Sequence, residues 1–465
     1  MIHDVSKNKL HIVLNALPLV LLVAFYLLFT IKDGVVMCMD SPSYIRMSLS
    51  REPFYPTFLA ALRAIFGENS YLLVAVYIQG LLAAVCSFSL ISYLKKAFNL
   101  NELFTWGFTI ITVMVSLLCR YAAKRGSMYS NSILTEGICL PLFMLFMRFA
   151  FEYVVEAKKR ALVGAAITSF ILISSRKQMY LTLILLIICI VYRELIKKPE
   201  IAPEGENKSK ASPIKRFLLT LISVVVLIVG ANQLFENVYS IALHGENSTH
   251  FNDNRFLATM LFYVSDFEDG ELIKEPEVKA LYEEIYAVCD AEGDMLKYAG
   301  GHQISSHFEE HYDMIQIDHM WPMLEEYAAN VYPDNDIARE TLVDETVSIM
   351  IDALLSKNVG KVLYVFVNNL LQGFANTVAK YHPVLNIYAL LIGVIYIALL
   401  IYGLKKRGLT KSAIFALLVL LSTLGNVAIV AMLIFCQTRY MIYNMALFYI
   451  ALGLMLKEDF DILRS

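Results

Sequence analysis

Asp40 is the first residue of the chain whose type and position suit acid–base chemistry. It lies in MDSPSYIRMSLSREPFYP, residues 39–56, directly after the first long apolar run. A carboxylate at the edge of a membrane helix can accept a proton from a hydroxyl group and so act as a general base. The dipeptide Ser41-Pro42 is also typical of a helix start, where Asp40 would serve as the N-cap.

Basic residues form a second group that could do chemistry. Several lie on the side of the membrane where the topology places Asp40 and where Lys and Arg are normally scarce. They are Arg46, Arg51, Arg63, Arg120, Lys124, Arg125, Arg176, Lys177 and Arg439. Single residues of this kind can reach toward lipid headgroups. Gathered around a partly dry cavity, they would instead suit a phosphate or pyrophosphate, so an anionic lipid headgroup is the expected ligand.

The composition indicates an integral membrane protein. Of the 465 residues, 58% are hydrophobic and 17% are charged, and the mean hydropathy is +0.58. Soluble domains are roughly half apolar. Long uncharged runs recur along the whole chain, and a run of about 20 residues crosses the ~30 Å hydrocarbon layer as a helix. These runs exclude a soluble enzyme with a single anchor.

Eleven runs are candidates for membrane helices. They cover 11–31, 71–94, 103–119, 126–147 (interrupted by Glu136), 161–175, 178–192, 217–235, 362–379, 381–404, 412–438 and 440–456. The run 362–379 contains four amide side chains, which favours a helix on the outer surface over a transmembrane helix. Ten crossings then keep both termini and the basic loops 95–96, 158–160, 193–216 and 405–407 on the cytoplasmic side.

Charge separates one soluble domain from the membrane regions. Between Glu236 and Gly360 there are 26 acidic and 6 basic residues, a net charge of −20, and this sign argues against a nucleic-acid partner. Helical spacing of apolar residues there predicts a mainly helical fold. The predicted order is a membrane module at 1–235 with seven helices and an outer loop at 33–70 holding an amphipathic helix, an acidic extracytoplasmic domain at 236–360, an interfacial helix at 361–380, and a three-helix membrane module at 381–465.

Four motifs resemble the GT-C superfamily of multi-pass glycosyltransferases, which includes protein O-mannosyltransferases and bacterial aminoarabinose and arabinofuranosyl transferases. They are Asp40 and Tyr44 followed by REPFYPTFLAALRAIFG from Arg51, SNSILTEGICLPLF at 130–143, ISSRKQMYL at 173–181, and CQTRYMIYNMALFYIALGL at 436–454. Many members have two adjacent acids at the first motif, whereas this chain has Asp40 followed by Ser41. The resemblance implies an all-α polytopic fold, a GT-C-like bundle of about ten transmembrane helices.

The resemblance also implies an inverting sugar transfer from a polyprenyl-phosphate donor to an extracytoplasmic acceptor, which would be a cell-surface glycan, a lipid or a protein. Asp40 would be the catalytic base. The donor phosphate would bind Arg120, Lys124, Arg125, Arg176, Lys177 and Arg439, and substrate contacts are expected from Tyr44, Arg51, Tyr55, Glu136 and His244. No cofactor is required. A divalent metal ion is compatible with the superfamily, but no ligand set in the sequence demands one.

Histidines cluster in the acidic domain, in GGHQISSHFEEHYDMIQIDHMW. His307, Glu310 and His311 match the H-x-x-E-H pattern of some zinc proteases, but the pattern is short and its third ligand cannot be identified. An amphipathic surface helix is the default interpretation. A noncatalytic metal or sugar contact from these histidines, which include His302 and His319, stays open.

Two other functions compete with sugar transfer from a lipid phosphate. A multi-pass polysaccharide polymerase or ligase also has a large late outer loop with arginines, but it does not need an acid directly after its first helix. A transporter of lipid or polysaccharide usually shows repeated halves and charges near the membrane centre. Here the charges gather at one face and no repeat is visible.

Overall fold

The structure is a computed structural model that describes residues 2–122, 125–196, 213–245, 254–301, 304–380 and 382–464. Within these ranges the regular elements are helices, and the β-structure is one isolated bridge between Val36 and Ser132. The predicted all-helical fold class is therefore confirmed for the part of the chain that is described. Contacts divide the chain into two compact units.

Unit 1 comprises Met1–Leu243, Leu391–Ser422 and Ile442–Ser465. Its described N-terminal part holds nine helices: α1 Ile2–Asp33, α2 Ser41–Ile45, α3 Phe54–Phe66, α4 Tyr71–Phe98, α5 Glu102–Leu117, α6 Glu136–Glu156, α7 Lys159–Ile173, α8 Tyr180–Val191 and α9 Pro213–His244. The last residue of α9, His244, already belongs to unit 2. In α3, Tyr55, Leu59 and Leu62 recur at helical spacing on the buried face, while Ile65 is exposed. The predicted outer loop 33–70 therefore does contain an amphipathic helix.

Unit 2 comprises His244–Leu390 and Thr423–Met441. It holds α10 Arg255–Val264, α11 Pro276–Glu292, α12 Ile304–Asp313, α13 Trp321–Val331 and the 43-residue α14 Asp336–Val378. Three C-terminal helices follow along the chain: α15 Pro383–Arg407 and α16 Lys411–Leu433, which each belong partly to both units, and the short α17 Thr438–Met441 of unit 2. The final helix, α18 Met445–Arg464, returns to unit 1. A single apolar core built from Tyr263, Tyr282, Phe308 and Tyr312 joins the helices of the acidic region.

Nine helices in the described ranges are long and apolar enough to cross a membrane. They cover Ala16–Asp33, Tyr71–Phe98, Glu102–Tyr121, Glu136–Glu156, Lys177–Ile196, Phe217–Leu243, Pro383–Arg407, Lys411–Leu433 and Thr438–Asp461. These helices are consistent with a multi-pass membrane protein. The tenth expected crossing, 161–175, is α7, whose 15 residues fall short of the ~20 that a full crossing needs.

Although it is short, α7 runs from one end of unit 1 to the other. At its start, Lys158 and Arg160 lie 3.4 Å from Glu152 near the end of α6. Directly after it, Arg176 pairs with Glu136, the first residue of α6. The two helices are therefore antiparallel, and the chain changes ends at 161–175 as the ten-crossing topology requires.

The described parts of the basic loops predicted to be cytoplasmic come together at one end of unit 1, which we name the Lys95 end. Tyr93 Oη donates to Glu156 Oε1 at 2.8 Å, Tyr153 Oη donates to Glu194 Oε1 at 3.1 Å, and Lys411 Nζ donates to the Ala97 carbonyl at 3.3 Å. Arg407 pairs with Asp459 near the end of α18. The opposite end holds residues 33–70, 125–136 and 174–177, and we name it the Asp40 end.

The segment 361–380, predicted as a separate surface helix, is the last part of α14. Three of its four amide side chains, Asn369, Gln372 and Asn376, are buried within unit 2. Asn376 Nδ2 donates to the Cys436 carbonyl at 2.6 Å, and Gln372 bonds to Glu309. Amides in this run therefore hydrogen-bond protein groups, which is how buried polar groups are normally satisfied.

Candidate functional site

Asp40 lies on a segment that backbone hydrogen bonds fix to the loop before α6. The Val36 N–H donates to the Asn131 carbonyl at 2.9 Å, and the Ile133 N–H donates to the Val36 carbonyl at 3.0 Å. Ser41 Oγ adds a bond of 2.8 Å to the Ile133 carbonyl. Because Ser41 is fully buried, these bonds fix the position of the neighbouring Asp40 backbone.

The Asp40 carboxylate is ion-paired with Arg51. Arg51 Nη2 lies 2.8 Å from Asp40 Oδ1, and the two side chains are 28% and 27% exposed. Arg51 Nε also donates to Ser43 Oγ at 2.8 Å, and its guanidinium lies 4.8 Å from the centre of the Tyr44 ring. Among the described residues Asp40 makes no side-chain cap bond to α2, so the N-cap interpretation does not account for this carboxylate.

A second ion pair, Glu136 with Arg176, is more deeply buried. Arg176 Nη1 lies 2.6 Å from Glu136 Oε1, and the side chains are 15% and 0% exposed. Glu136 opens α6, where the helix dipole favours a negative charge. The antiparallel packing of α6 and α7 then brings Arg176 to the same place. Two residues 40 positions apart in the sequence thus meet at the Asp40 end.

Residues 51–54 connect the two ion pairs. The Phe54 N–H donates to the Ser174 carbonyl at 2.9 Å, and the Lys177 N–H donates to Glu52 Oε1 at 3.1 Å. Since Arg51 belongs to the same segment, a displacement of the Arg176 loop would be transmitted to Asp40 over a few bonds.

The charges of both ion pairs affect the pKa of Tyr44. Burial is the main cause that raises the pKa of Tyr44 well above its usual value; Arg51 and Arg176 act to lower it, and Asp40 and Glu136 act to raise it. Burial also opposes the charge on Arg51, but Tyr44 and Asp40 outweigh this and raise the pKa of Arg51. The Arg51 guanidinium therefore stays charged beside a neutral phenol.

Tyr44 and Tyr55 are buried supports of the site. Their rings meet edge to face at 5.2 Å, and they are 3% and 0% exposed. Tyr55 Oη donates to Gln79 Oε1 at 2.8 Å, and Gln79 Nε2 donates to the carbonyls of Ser130 and Ser132 at 2.9 and 3.0 Å. Both tyrosines were predicted as substrate contacts. Tyr55 joins α3 to the 130–132 loop through Gln79, and Tyr44 packs against Tyr55.

The cations predicted to bind phosphate differ in their partners. Arg120 is buried and pairs with Asp33. Arg125 stacks on Tyr129 at 4.2 Å and donates to Ser132 Oγ and, at 3.4 Å, to Cys38 Sγ. Within the described residues Arg125 has no carboxylate partner, so its positive charge is less neutralised than that of Arg120.

Three predicted site residues cannot be placed with this group. Lys124 and the side chain of His244 lie outside the described residues, as does His302 of the histidine cluster. Arg439 belongs to unit 2, where its guanidinium lies 5.7 Å from the Tyr440 ring centre.

A cleft of about 590 Å³ opens beside Glu136 in unit 1. Glu136, Leu140 and Met144 line it on successive turns of α6. Tyr26 and Ser116, joined at 3.0 Å, line the side formed by α1 and α5. The cleft thus has a carboxylate at one point, hydroxyl groups along it and a mostly apolar wall, a composition typical of ligand sites.

Gln79 and Asp33 belong to this arrangement but were missed in the sequence. Gln79 is a lone amide within the long apolar helix α4, and a polar group in such a helix is a functional or structural signal by default. Asp33 ends the first apolar run and gave no comparable signal, because its partner Arg120 lies 87 residues away.

The described residues form an all-helical fold consistent with a multi-pass membrane protein. Three acid–arginine pairs, Asp33–Arg120, Asp40–Arg51 and Glu136–Arg176, lie at the Asp40 end of unit 1. No family model matches the chain, and the comparison with curated proteins finds no match. The resemblance to GT-C enzymes therefore depends on the four motifs quoted above.

Proposed function

We propose that the protein is a membrane glycosyltransferase of GT-C type. It transfers a sugar from a polyprenyl-phosphate donor to an extracytoplasmic acceptor, with Asp40 as the general base. The observation that supports this best is the grouping of Asp40, Arg51, Glu136 and Arg176, which come from three of the four motifs, at one end of unit 1.

In the proposed reaction, Asp40 accepts the proton of the acceptor hydroxyl while the oxygen forms its bond to the anomeric carbon. The bond from that carbon to the phosphate oxygen breaks, and the polyprenyl phosphate leaves with the electron pair, so the configuration inverts. The Asp40 side chain is 27% exposed, which leaves it accessible to an acceptor. Arg51 favours the ionised carboxylate that a base requires.

Arg125 is the preferred residue for binding the donor phosphate. A guanidinium is a strong donor to phosphate oxygens, and Arg125 contacts neutral groups only among the described residues. Arg176 would assist it. Because Glu136 already neutralises much of the Arg176 charge, we expect Arg176 to orient the phosphate more than to attract it.

The cleft beside Glu136 offers a path for the donor's lipid chain. Its wall is mostly apolar, and it extends from Glu136 over the turns of α6 that carry Leu140 and Met144. A polyprenyl chain in this cleft would keep its phosphate near the Asp40 end, next to the proposed base.

The test is sugar transfer by the purified protein from a labelled polyprenyl-phosphate sugar, compared between wild type and Asp40→Asn. Loss of the base should reduce transfer at least ~100-fold, while retention of the labelled donor stays within a few-fold of wild type. The control variant is Glu68→Gln, because Glu68 is 73% exposed and lies outside the site. Full activity of Asp40→Asn, or lipid transport without any transfer, would contradict the proposal.

A further inference from the structure

A group of histidine and carboxylate side chains lies in unit 2, outside the site described above. Glu292, Asp294 and His319 each offer one ligand atom, and these atoms lie within 4.8 Å of one another. Their side chains are 49%, 0% and 12% exposed. The group therefore reaches from solvent to a fully buried carboxylate.

The end of α11 directs Asp294 into the protein. Gly293 has a φ of +83°, a left-handed conformation that favours glycine, and ends the helix. The Asp294 N–H then donates to the Cys289 carbonyl at 2.9 Å, which closes the turn and fixes the Asp294 backbone.

The two oxygens of Asp294 have different surroundings. Oδ1 forms a short bond of 2.6 Å with His311 Nδ1. Oδ2 is buried and has no hydrogen-bond partner within the described part of the chain, although His319 Nε2 lies 3.5 Å away. A buried carboxylate oxygen without a hydrogen bond is costly, and this one is directed at His319.

The spacing around His319 is close to that of ligands of one ion. His319 Nε2 and Glu292 Oε2 form a long hydrogen bond of 3.2 Å, and His319 Nε2 lies 3.5 Å from Asp294 Oδ2. Both distances are longer than the 2.6 Å bond from His311 Nδ1 to the same Asp294 carboxylate. Two ligands at about 2.0–2.1 Å from a tetrahedral zinc ion are about 3.3 Å apart, which falls between the two observed distances.

A π-helical segment brings the second histidine to this place. Residues 314–320, between α12 and α13, form seven residues of π-helix, a rare geometry that is frequent at functional sites. In an unbroken α-helix, eight residues would leave His319 about 80° around the axis from His311. The wider π turns reduce this angle, so that both histidines lie beside Asp294.

The geometry points to a structural site for a divalent transition-metal ion of the zinc class in unit 2. Glu292, Asp294 and His319 are its protein ligands, with water completing the coordination, and His311 orients the Asp294 carboxylate. A nitrogen donor beside two carboxylates favours Zn²⁺ over Mg²⁺ or Ca²⁺, which prefer oxygen ligands only. The ion would join the end of α11 to the 314–320 segment. The site is independent of the proposed sugar transfer.

The experiment measures zinc retention by the full-length protein in detergent. The protein is stripped with a chelator, incubated with Zn²⁺ in the presence of excess Mg²⁺ and Ca²⁺, and separated from free metal before elemental analysis. We expect about one zinc per chain and an increase in Tm on zinc addition. Glu292→Gln and His319→Ala should each weaken zinc binding at least ~10-fold.

The control variant is His382→Ala, since His382 is exposed and is not part of the group; it should retain zinc like wild type. Glu292 is half exposed, so Glu292→Gln is expected to fold. It therefore tests the site even if the His319→Ala variant fails to fold. Zinc retention by wild type no greater than by Glu292→Gln would overturn the proposal. It would indicate that a protonated His319 simply pairs with the two carboxylates.

Discussion

Glu136 is the residue whose surroundings most restrict what the site can do. Its side chain is fully buried, and it forms an ion pair with Arg176 at 2.6 Å. A buried pair contributes little net stability, because both charges lose water, but removal of one partner leaves an uncompensated buried charge. Stability and donor binding therefore both depend on this pair and must be measured separately.

We expect Arg176→Ala to lower the free energy of unfolding by about 3–5 kcal/mol, because Glu136 would remain buried without its guanidinium partner. Thermal unfolding in detergent measures the effect as a fall in Tm. The double variant Glu136→Gln/Arg176→Gln, which removes both charges, should recover much of the loss.

The control for this pair is Arg63→Ala. Arg63 lies 3.7 Å from Glu68, and these side chains are 37% and 73% exposed, so the change should cost less than about 1 kcal/mol. Equal stability of Arg176→Ala and Arg63→Ala would show that loss of the buried Glu136–Arg176 pair costs no more than loss of an exposed pair.

Sequence reasoning could select the charged residues of the site but not their partners. Asp40, Glu136 and Arg176 stand out because a charge beside an apolar run is costly and needs a reason. The partners Asp33 of Arg120 and Glu52 of the Lys177 amide lie at distant positions of the sequence. Only the folded chain brings them together, so the neutralisation of Arg120 by Asp33 could not be foreseen.

At the scale of elements, α14 shows why one boundary was not predictable. The apolar run 362–379 follows Lys357 and Lys361, which suggested a new element. In the structure these lysines pair with Asp269 and Asp266, and the helix continues through them because no proline interrupts it. The amphipathic helix α3, in contrast, was expected from the resemblance of REPFYPTFLAALRAIFG to the GT-C pattern, and its apolar residues do recur at helical spacing.

The close packing of α4 and α6 depends on Gly137. A Cβ at this position would lie 2.9 Å from Oε1 of Gln79 and would also meet the rest of its amide group, which joins Tyr55 to the 130–132 loop. We expect Gly137→Ala to displace Gln79, lower the Tm and reduce sugar transfer, because the segment that fixes Asp40 would move.

Gly107→Ala is the matched control for Gly137→Ala. Gly107 also lies within a membrane helix, α5, and a Cβ there has no described atom within 4 Å. Alanine should be neutral or slightly stabilising at this position. A Gly137→Ala variant as stable and active as Gly107→Ala would contradict the role given to the Gln79 contact.

At the scale of the whole molecule, unit 1 separates its charges by end. The Lys95 end holds the described parts of the basic loops, and the Asp40 end holds the pairs Asp33–Arg120, Asp40–Arg51 and Glu136–Arg176. Since Lys and Arg in short loops are retained in the cytoplasm, we predict that the Asp40 end is extracytoplasmic. The sequence predicted this grouping because each basic cluster ends an apolar run, a local feature that needs no tertiary information.

Cysteine labelling in intact cells tests this orientation. Cys38→Ser provides the background, because the other six cysteines are buried. Glu68→Cys at the Asp40 end should react with a membrane-impermeant maleimide before lysis, since Glu68 is largely exposed. Lys96→Cys at the Lys95 end, also exposed, should react only after permeabilisation.

The two positions control for each other, because Glu68 precedes α4 and Lys96 lies in its last turn, so they mark opposite ends of one helix. Labelling of both positions before lysis would indicate leaky cells. A cytosolic thiol protein in the Cys38→Ser background serves as the control, because the maleimide labels it only if the membrane leaks. Labelling of Lys96→Cys but not of Glu68→Cys in sealed cells would show that the orientation is opposite to the predicted one. Asp40 would then face the cytoplasm, and an extracytoplasmic acceptor could not reach the proposed base.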